Sequence, residues 1–196
     1  MTALEPLSEN DLWLLNYYRS SEINGALFFG RVSRIVRGPL QADVTHHFAD
    51  EANHAKFWTE CITDLGFTAS RATSGYQDQY LEAAGMPVNL MEVMAITQVF
   101  EKRVIGQYNH HLRFEGTHPL VQRTIKTIMR DERWHVQYVR DALQSMAAKY
   151  GEELVDETLA RFTAADEEVY AKTLAEYGDR VAFLAESHPL TPLPAP

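Results

Sequence analysis

Residues 50–54 of the chain read DEANH, and residues 131–135 read DERWH. In a chain of this composition, chance gives roughly 0.7 Glu-x-x-His spacings, and about 0.04 when an Asp must stand directly before the Glu. A third Glu-x-x-His spacing, at residues 115–118, contains a glycine and is followed by a proline, and both residues break helices. We therefore set the third spacing aside and interpret the two Asp-Glu-x-x-His segments as one repeated motif.

The sequence on both sides of the motifs predicts long helices and almost no strand. Ser8 with Asp11 forms a capping-box pattern at the start of the first helix. The predicted long helices cover residues 8–36, 39–66, 89–114, 119–150 and 151–186. Residues 66–88 form a connection rich in Gly, Ser and Thr, within which Tyr76–Ala84 could form a short helix. The expected fold class is therefore all-α.

Each of the two predicted hairpins carries two glutamates at nearly the same height. Glu22 lies 16 residues before the turn at residue 38, and Glu51 lies 13 residues after it. Glu101 and Glu132 lie 15 and 16 residues from the second turn. At about 1.5 Å per residue, each glutamate stands about 20 Å from its turn, so the two glutamates of a hairpin can meet across it. The Glu and the His of each motif also share a helix face, because they are three residues apart.

The neighbours of these glutamates on the same helix faces are mostly apolar, which indicates that the carboxylates point into the core. Four buried carboxylates at one level are very costly unless cations share the site. Two divalent ions would balance the four glutamates, and two imidazoles would add neutral nitrogen donors, a combination suited to iron or manganese. The predicted metal ligands are Glu22, Glu51, His54, Glu101, Glu132 and His135.

This arrangement resembles the ferritin-like di-iron carboxylate superfamily, in which two helices of a bundle each supply a Glu and the other two each supply a Glu-x-x-His. The segments SEINGALFFGRV and HFADEANHA, at residues 21–32 and 47–55, are most similar to rubrerythrin-type bundles. The resemblance implies a four-helix bundle at residues 1–150, with a long crossover between its second and third helices. An additional helix at residues 151–186 and a Pro-rich tail at residues 187–196 would follow the bundle.

The resemblance also implies a role for each ligand. Glu51 and Glu132 would bridge two iron ions, with manganese or a mixed Fe/Mn pair as alternatives. The terminal ligands would be Glu22 with His54 on one ion and Glu101 with His135 on the other. Asp50 and Asp131 would each accept a hydrogen bond from the histidine of the opposite hairpin, which orients the imidazole and strengthens its free nitrogen as a donor.

Several residues near the predicted ligands are candidates for a substrate pocket, although each also has an ordinary structural explanation. Gly25 could leave room beside the metals or could serve close helix packing. His47 lies one turn before Glu51 and could be a further ligand, but a hydrogen-bonded or exposed histidine is the favoured interpretation. The residues considered for the pocket are Tyr18, Gly25, Ala26, Phe29, Tyr108 and Tyr138.

Composition disfavours several other kinds of protein. Cys61 is the only cysteine, so this chain contains no intrachain disulfide, zinc ribbon or four-cysteine rubredoxin. A formal charge of −9 and a pI near 5.3 disfavour binding to nucleic acid or to an anionic membrane. No apolar run spans a bilayer, and the first residues lack the pattern of a secretory signal, so we expect a cytoplasmic protein.

Three functions fit these features. The first is an oxidoreductase that activates O2 or peroxide at the di-iron site and oxidises or oxygenates a small organic substrate, with an external electron donor. The second is a ferroxidase that handles iron, and the third is a structural bundle that retains metal. The long connection and the tail are unlike a subunit of an iron-storage cage, so the oxidoreductase is favoured. A homodimer would be compatible with this function.

Overall fold

The computed structural model describes residues 7–71 and 76–185, and this part of the chain consists of six helices with no strand. The helices are α1 (Glu9–Ser33), α2 (Gln41–Asp64), α3 (Tyr76–Ala84), α4 (Leu90–Arg113), α5 (Pro119–Tyr150) and α6 (Glu152–Ala185). The all-α prediction is therefore confirmed for the described residues. The predicted tail at residues 187–196 lies outside them.

Local sequence signals account for most of the helix boundaries. The capping box at the start of α1 is present, because the Asp11 amide donates to Ser8 Oγ over 3.1 Å and the Ser8 amide donates to the Asp11 carboxylate over 2.8 Å. Gly38 and Gly116, in the turns that follow α1 and α4, have φ values of 82° and 100°, which favour glycine. The α1 helix ends at Ser33 rather than near residue 36, since the next two amides bond three residues back in a tightened turn.

Side-chain contacts fix the directions of the long helices. On α2, His47 contacts Glu101 of α4, and Trp58, further along α2, donates to Tyr108, further along α4. Residue numbers therefore increase together on α2 and α4, so these two helices run parallel. This direction agrees with the predicted crossover, since a short antiparallel turn between them would have excluded it.

The four long helices α1, α2, α4 and α5 surround the site, but one side of their arrangement is open. The α1 helix packs on α2, α2 packs on α5, and α5 packs on α4. Across the remaining side, no Cα of α1 lies within 8 Å of a Cα of α4. A separation of this size leaves space between α1 and α4 for a cavity, which is described below.

The α6 helix covers the outer side of α4 and also packs on α3 and α5. A buried polar network holds it there: the Arg103 guanidinium on α4 and the Tyr76 hydroxyl on α3 both donate to the Asp166 carboxylate on α6. Because the carboxylate is nearly fully buried, the two donors offset the cost of removing it from water. The helix is interrupted at Tyr177, whose φ and ψ of −118° and 22° are not helical.

The interior contains two apolar layers separated by a polar level. One layer contains Leu14, Trp58, Tyr108 and Ile125, and the other contains Phe29, Met94 and Val139, together with residues of α3 and α6. On each of the four long helices, the predicted metal ligands lie between the segments that supply these layers. Over residues 7–71 and 76–185, no helix is both long and apolar enough to cross a membrane.

Candidate metal centre

Four carboxylates and three imidazoles meet at the polar level between the two apolar layers. They are Glu22 of α1, His47, Glu51 and His54 of α2, Glu101 of α4, and Glu132 and His135 of α5. None of the seven is more than 7% exposed. The structure thus brings all six predicted ligands together and adds His47 to them.

The ligand atoms fall into two groups, in each of which they lie within 4.8 Å of one another. The groups are Glu22, Glu51, His54 and Glu132, and His47, Glu51, Glu101 and His135. Since Glu51 belongs to both groups, its carboxylate lies where a ligand shared by two ions would lie. Each group is a buried set of oxygen and nitrogen donors that could hold a metal ion.

Glu132 connects the two groups as well. Its Oε1 lies 3.2 Å from His54 Nδ1, and its Oε2 lies 3.2 Å from His135 Nδ1. One carboxylate therefore faces an imidazole of each group with a different oxygen. Such a placement suits a carboxylate that spans two cations.

The outer nitrogens of two imidazoles are held by carboxylates from the opposite hairpin. His54 Nε2 on α2 donates to Asp131 Oδ2 on α5 over 3.1 Å, and His135 Nε2 on α5 donates to Asp50 Oδ2 on α2 over 3.2 Å. A proton fixed on Nε2 leaves Nδ1 as the donor atom for a metal. In both histidines, Nδ1 is the atom that faces the glutamates.

His54 Nδ1 provides a direct test of whether these residues fit a metal. This nitrogen is buried, and it lies 3.2 Å from Glu132 and 3.5 Å from Glu22 without hydrogen-bond geometry to any described residue. Buried polar atoms normally have a partner, so an unsatisfied nitrogen that points at two carboxylates calls for a cation. The donor set of the centre therefore fits metal ions.

His47 is part of the centre, whereas the sequence favoured an ordinary hydrogen-bonded or exposed histidine. It is fully buried, and its Nε2 lies 3.1 Å from oxygens of both Glu51 and Glu101. Its Nδ1 lies 2.8 Å from the Tyr138 hydroxyl, and its ring stacks on His135 with centroids 3.6 Å apart. The spacing of four residues before Glu51 was a usable signal, because it places both side chains on one helix face.

The pKa values show how strongly the buried groups interact. Burial, reinforced by the other carboxylates, raises the pKa of both Glu51 and Glu101 well above its ordinary value. Burial lowers the pKa of His54, but the adjacent Glu132 and Glu22 outweigh this effect and raise it to about 12. Burial, with the neighbouring imidazole of His135, lowers the pKa of His47. The carboxylates thus compete for too little positive charge, which bound cations would supply.

Tyr108 positions one of the carboxylates. Its hydroxyl donates to Glu22 Oε1 and accepts a hydrogen bond of 3.0 Å from Trp58 Nε1. Burial raises the pKa of Tyr108 well above its ordinary value, so the hydroxyl keeps its proton and remains a donor. The second carboxylate oxygen of Glu22 is the one that faces His54.

A cavity of about 560 Å³ lies between α1 and α4 and reaches the centre. All four glutamates of the centre line this cavity, whereas none of the three imidazoles does. Of the residues considered for a pocket, Tyr18, Gly25, Phe29 and Tyr108 line it. Ala26 and Tyr138 are not part of its wall, and Tyr138 contacts His47 on the imidazole side instead. The centre therefore presents its carboxylate side to the cavity.

Gly25 lies where the α1 backbone approaches Glu51 most closely. A Cβ atom at this position would stand 2.0 Å from Glu51 Oε2 and 2.8 Å from its carboxylate carbon. No pair of non-bonded atoms tolerates such a distance, so any larger residue must displace Glu51. The glycine thus creates the space that the shared carboxylate occupies.

We expect Gly25→Ala to weaken metal binding at both groups by at least about 10- to 100-fold, the range found when the orientation of a ligand is disturbed. Metal titration of the purified variant would measure this. Gly106→Ala is the matched control, because a Cβ there meets nothing within 4 Å. The control should keep the parent affinity and gain roughly 0.5–1 kcal/mol of stability. Parent-like affinity in Gly25→Ala would show that Glu51 is not a ligand.

The fold and the site define a helical protein with a buried His/carboxylate centre that could hold metal ions. Comparison of the chain with family models, with curated proteins and with solved structures gave no match in any of the three. The functional conclusion therefore depends on the geometry of the centre and its cavity.

Proposed function

We propose that the protein is a non-haem di-iron oxidoreductase with a ferritin-like four-helix bundle, which uses O2 or peroxide to oxidise a small organic substrate. One observation carries the proposal: two ligand groups that share Glu51 open on their carboxylate side onto a cavity of substrate size. Small-molecule sites typically enclose about 300–1,000 Å³, and a purely structural metal would need no such space.

The chain's own residues would have three tasks in this reaction. The apolar wall between α1 and α4 would exclude water and hold the substrate against the carboxylates. Asp50 and Asp131 would keep two imidazoles in the orientation in which Nδ1 faces the ions. Tyr108 would hold Glu22 at the end of the cavity. Two bound iron ions would supply the electrons for reduction of O2, and an external donor would restore them.

Iron stoichiometry during reaction with oxygen tests this function. We expect the metal-free protein, loaded anaerobically with ferrous iron and then exposed to O2, to stop at two irons per chain, one for each ligand group. The oxidised iron should stay bound, and each further turnover should require two electrons from an added reductant.

Two other results would contradict the proposal. Uptake that continues to many irons per chain, with oxidised iron leaving the centre, would establish iron handling as the function. Absence of bound iron after anaerobic loading would overturn the metal assignment altogether. Glu115→Ala is a suitable control, because this exposed glutamate belongs to the Glu-x-x-His spacing that was set aside.

A further inference from the structure

The cavity is long and leads from the carboxylates to the surface near the end of α1. Its wall includes Glu22 at the centre, Val32 further along α1 and Ile35 beyond the helix end. At about 1.5 Å per residue, the thirteen residues from Glu22 to Ile35 correspond to about 20 Å. The space therefore suits an extended molecule better than a compact one.

The wall between the carboxylates and the surface is predominantly apolar. Phe28 and Val32 line it on α1, and Val93, Ile96 and Phe100 line it on α4. A second cavity of about 290 Å³ shares Val32 and Val93 with the first. An unbranched apolar chain would bury its surface against these side chains, and each buried methylene would contribute to affinity.

Large apolar side chains are exposed where the cavities reach the surface. Leu27, Ile35 and Met86 line the larger cavity and are 61%, 76% and 60% exposed, and Val88, beside the smaller cavity, is 82% exposed. Isolated exposed apolar residues are common, but four around one opening form a patch of the kind that marks a binding site. The opening is therefore suited to an apolar ligand.

The charges at the opening are mainly positive in a chain whose formal charge is −9. Arg31 lines the larger cavity and Arg37 lines the smaller one, and both are exposed. Neither forms an ion pair with any residue that the structure describes. Glu82 is the acidic residue on the wall of the larger cavity near the surface. Two unpaired guanidinium groups against one carboxylate favour an anionic group at this end.

We propose that the cavity binds an amphipathic molecule with an unbranched apolar chain and an anionic head group, the head at Arg31 and Arg37 and the chain end at the carboxylate centre. This inference names the substrate class of the proposed oxidoreductase and rests on that function for the reaction, but not for binding. The end of the chain remote from the head is then the part nearest to the metal ligands.

Binding of simple probes to the full metal-free chain tests the proposal. We expect decanoate to displace a fluorescent fatty-acid probe at concentrations below micelle formation, and hexanoate to displace it more weakly, because it buries fewer methylenes. Decanol and decylamine have the same chain with a neutral or a cationic head, and both should bind more weakly than decanoate. No displacement by decanoate, or equal displacement by decylamine, would overturn the proposal.

Matched charge variants test the position of the head. Arg31→Gln with Arg37→Gln should weaken decanoate binding about three- to tenfold at low salt and leave decanol binding unchanged. Arg123→Gln with Lys126→Gln removes the same charge from exposed positions on α5 and should change neither. An equal loss in both double variants would show that only overall charge matters and would overturn the assigned head position.

A wall variant tests the position of the chain. Val93→Phe should weaken decanoate and decanol alike, because Val93 lines both cavities. Unchanged binding of both probes, in a variant whose thermal unfolding matches the parent, would overturn the assigned path. Iron titration of the same preparations is independent of these results. Decanoate binding without iron binding would overturn the proposed function and retain this inference, and iron binding without decanoate binding would do the reverse.

Discussion

Glu132→Ala is expected to reduce bound iron from two ions per chain to almost none at a free iron concentration that saturates the parent protein. The reason is geometric: the two oxygens of this carboxylate each lie 3.2 Å from Nδ1 of a different imidazole, so both ion positions lose a ligand together. Loss of a directly bound ligand should cost more than the roughly 10- to 100-fold found for outer partners. Elemental analysis after anaerobic loading would measure the change.

Two further variants make this result specific. Glu22→Ala should mainly weaken one ion, because Glu22 belongs to only one of the two ligand groups. Glu115→Ala, at an exposed position outside the centre, should retain both ions. If Glu132→Ala, folded as judged by circular dichroism, still binds two ions, then its carboxylate does not connect the two groups.

Metal loading is expected to raise the Tm of the protein substantially. A ligand that binds only the folded state stabilises it by about 4 kcal/mol when its free concentration is about 1,000 times its Kd. For a chain of 196 residues, each kcal/mol shifts the Tm by about 2–4 °C, so each ion should add about 8–16 °C. The repulsion among four buried carboxylates, which the ions relieve, lies behind this gain.

Thermal unfolding with and without ferrous or manganous ion under anaerobic conditions would measure the shift. Glu132→Ala provides the control, since its Tm should not respond to metal. Magnesium should stabilise far less, because a site rich in imidazole suits transition metals better. An equal response of parent and variant would place the stabilising ion elsewhere on the molecule.

Much of the architecture could be predicted from the sequence because it depends on local rules. The capping box at Ser8, the turn glycines and the short helix at Tyr76–Ala84 all follow from signals within a few residues of each other. The parallel direction of α2 and α4 followed from the length of the connection between them. Counting residues from two turns was enough to expect the glutamates at one level.

Features that depend on distances between helices could not be predicted in this way. His47 is buried because Tyr138, from another hairpin, contacts its outer nitrogen and because Phe29 and His135 stack on its ring. The opening between α1 and α4 likewise depends on how far two hairpins are spread apart. No pattern within one helix contains that distance, so neither the seventh ligand nor the shape of the cavity was apparent from the sequence.

The exchange of carboxylates between the hairpins has a mechanical consequence. Asp131 holds the imidazole of His54, and Asp50 holds that of His135, so each hairpin orients a ligand that the other one carries. Neither hairpin alone has a complete set of oriented donors. Any motion that separates α2 from α5 would release both imidazoles at once, so retention of metal would report directly on whether the two halves of the bundle remain docked.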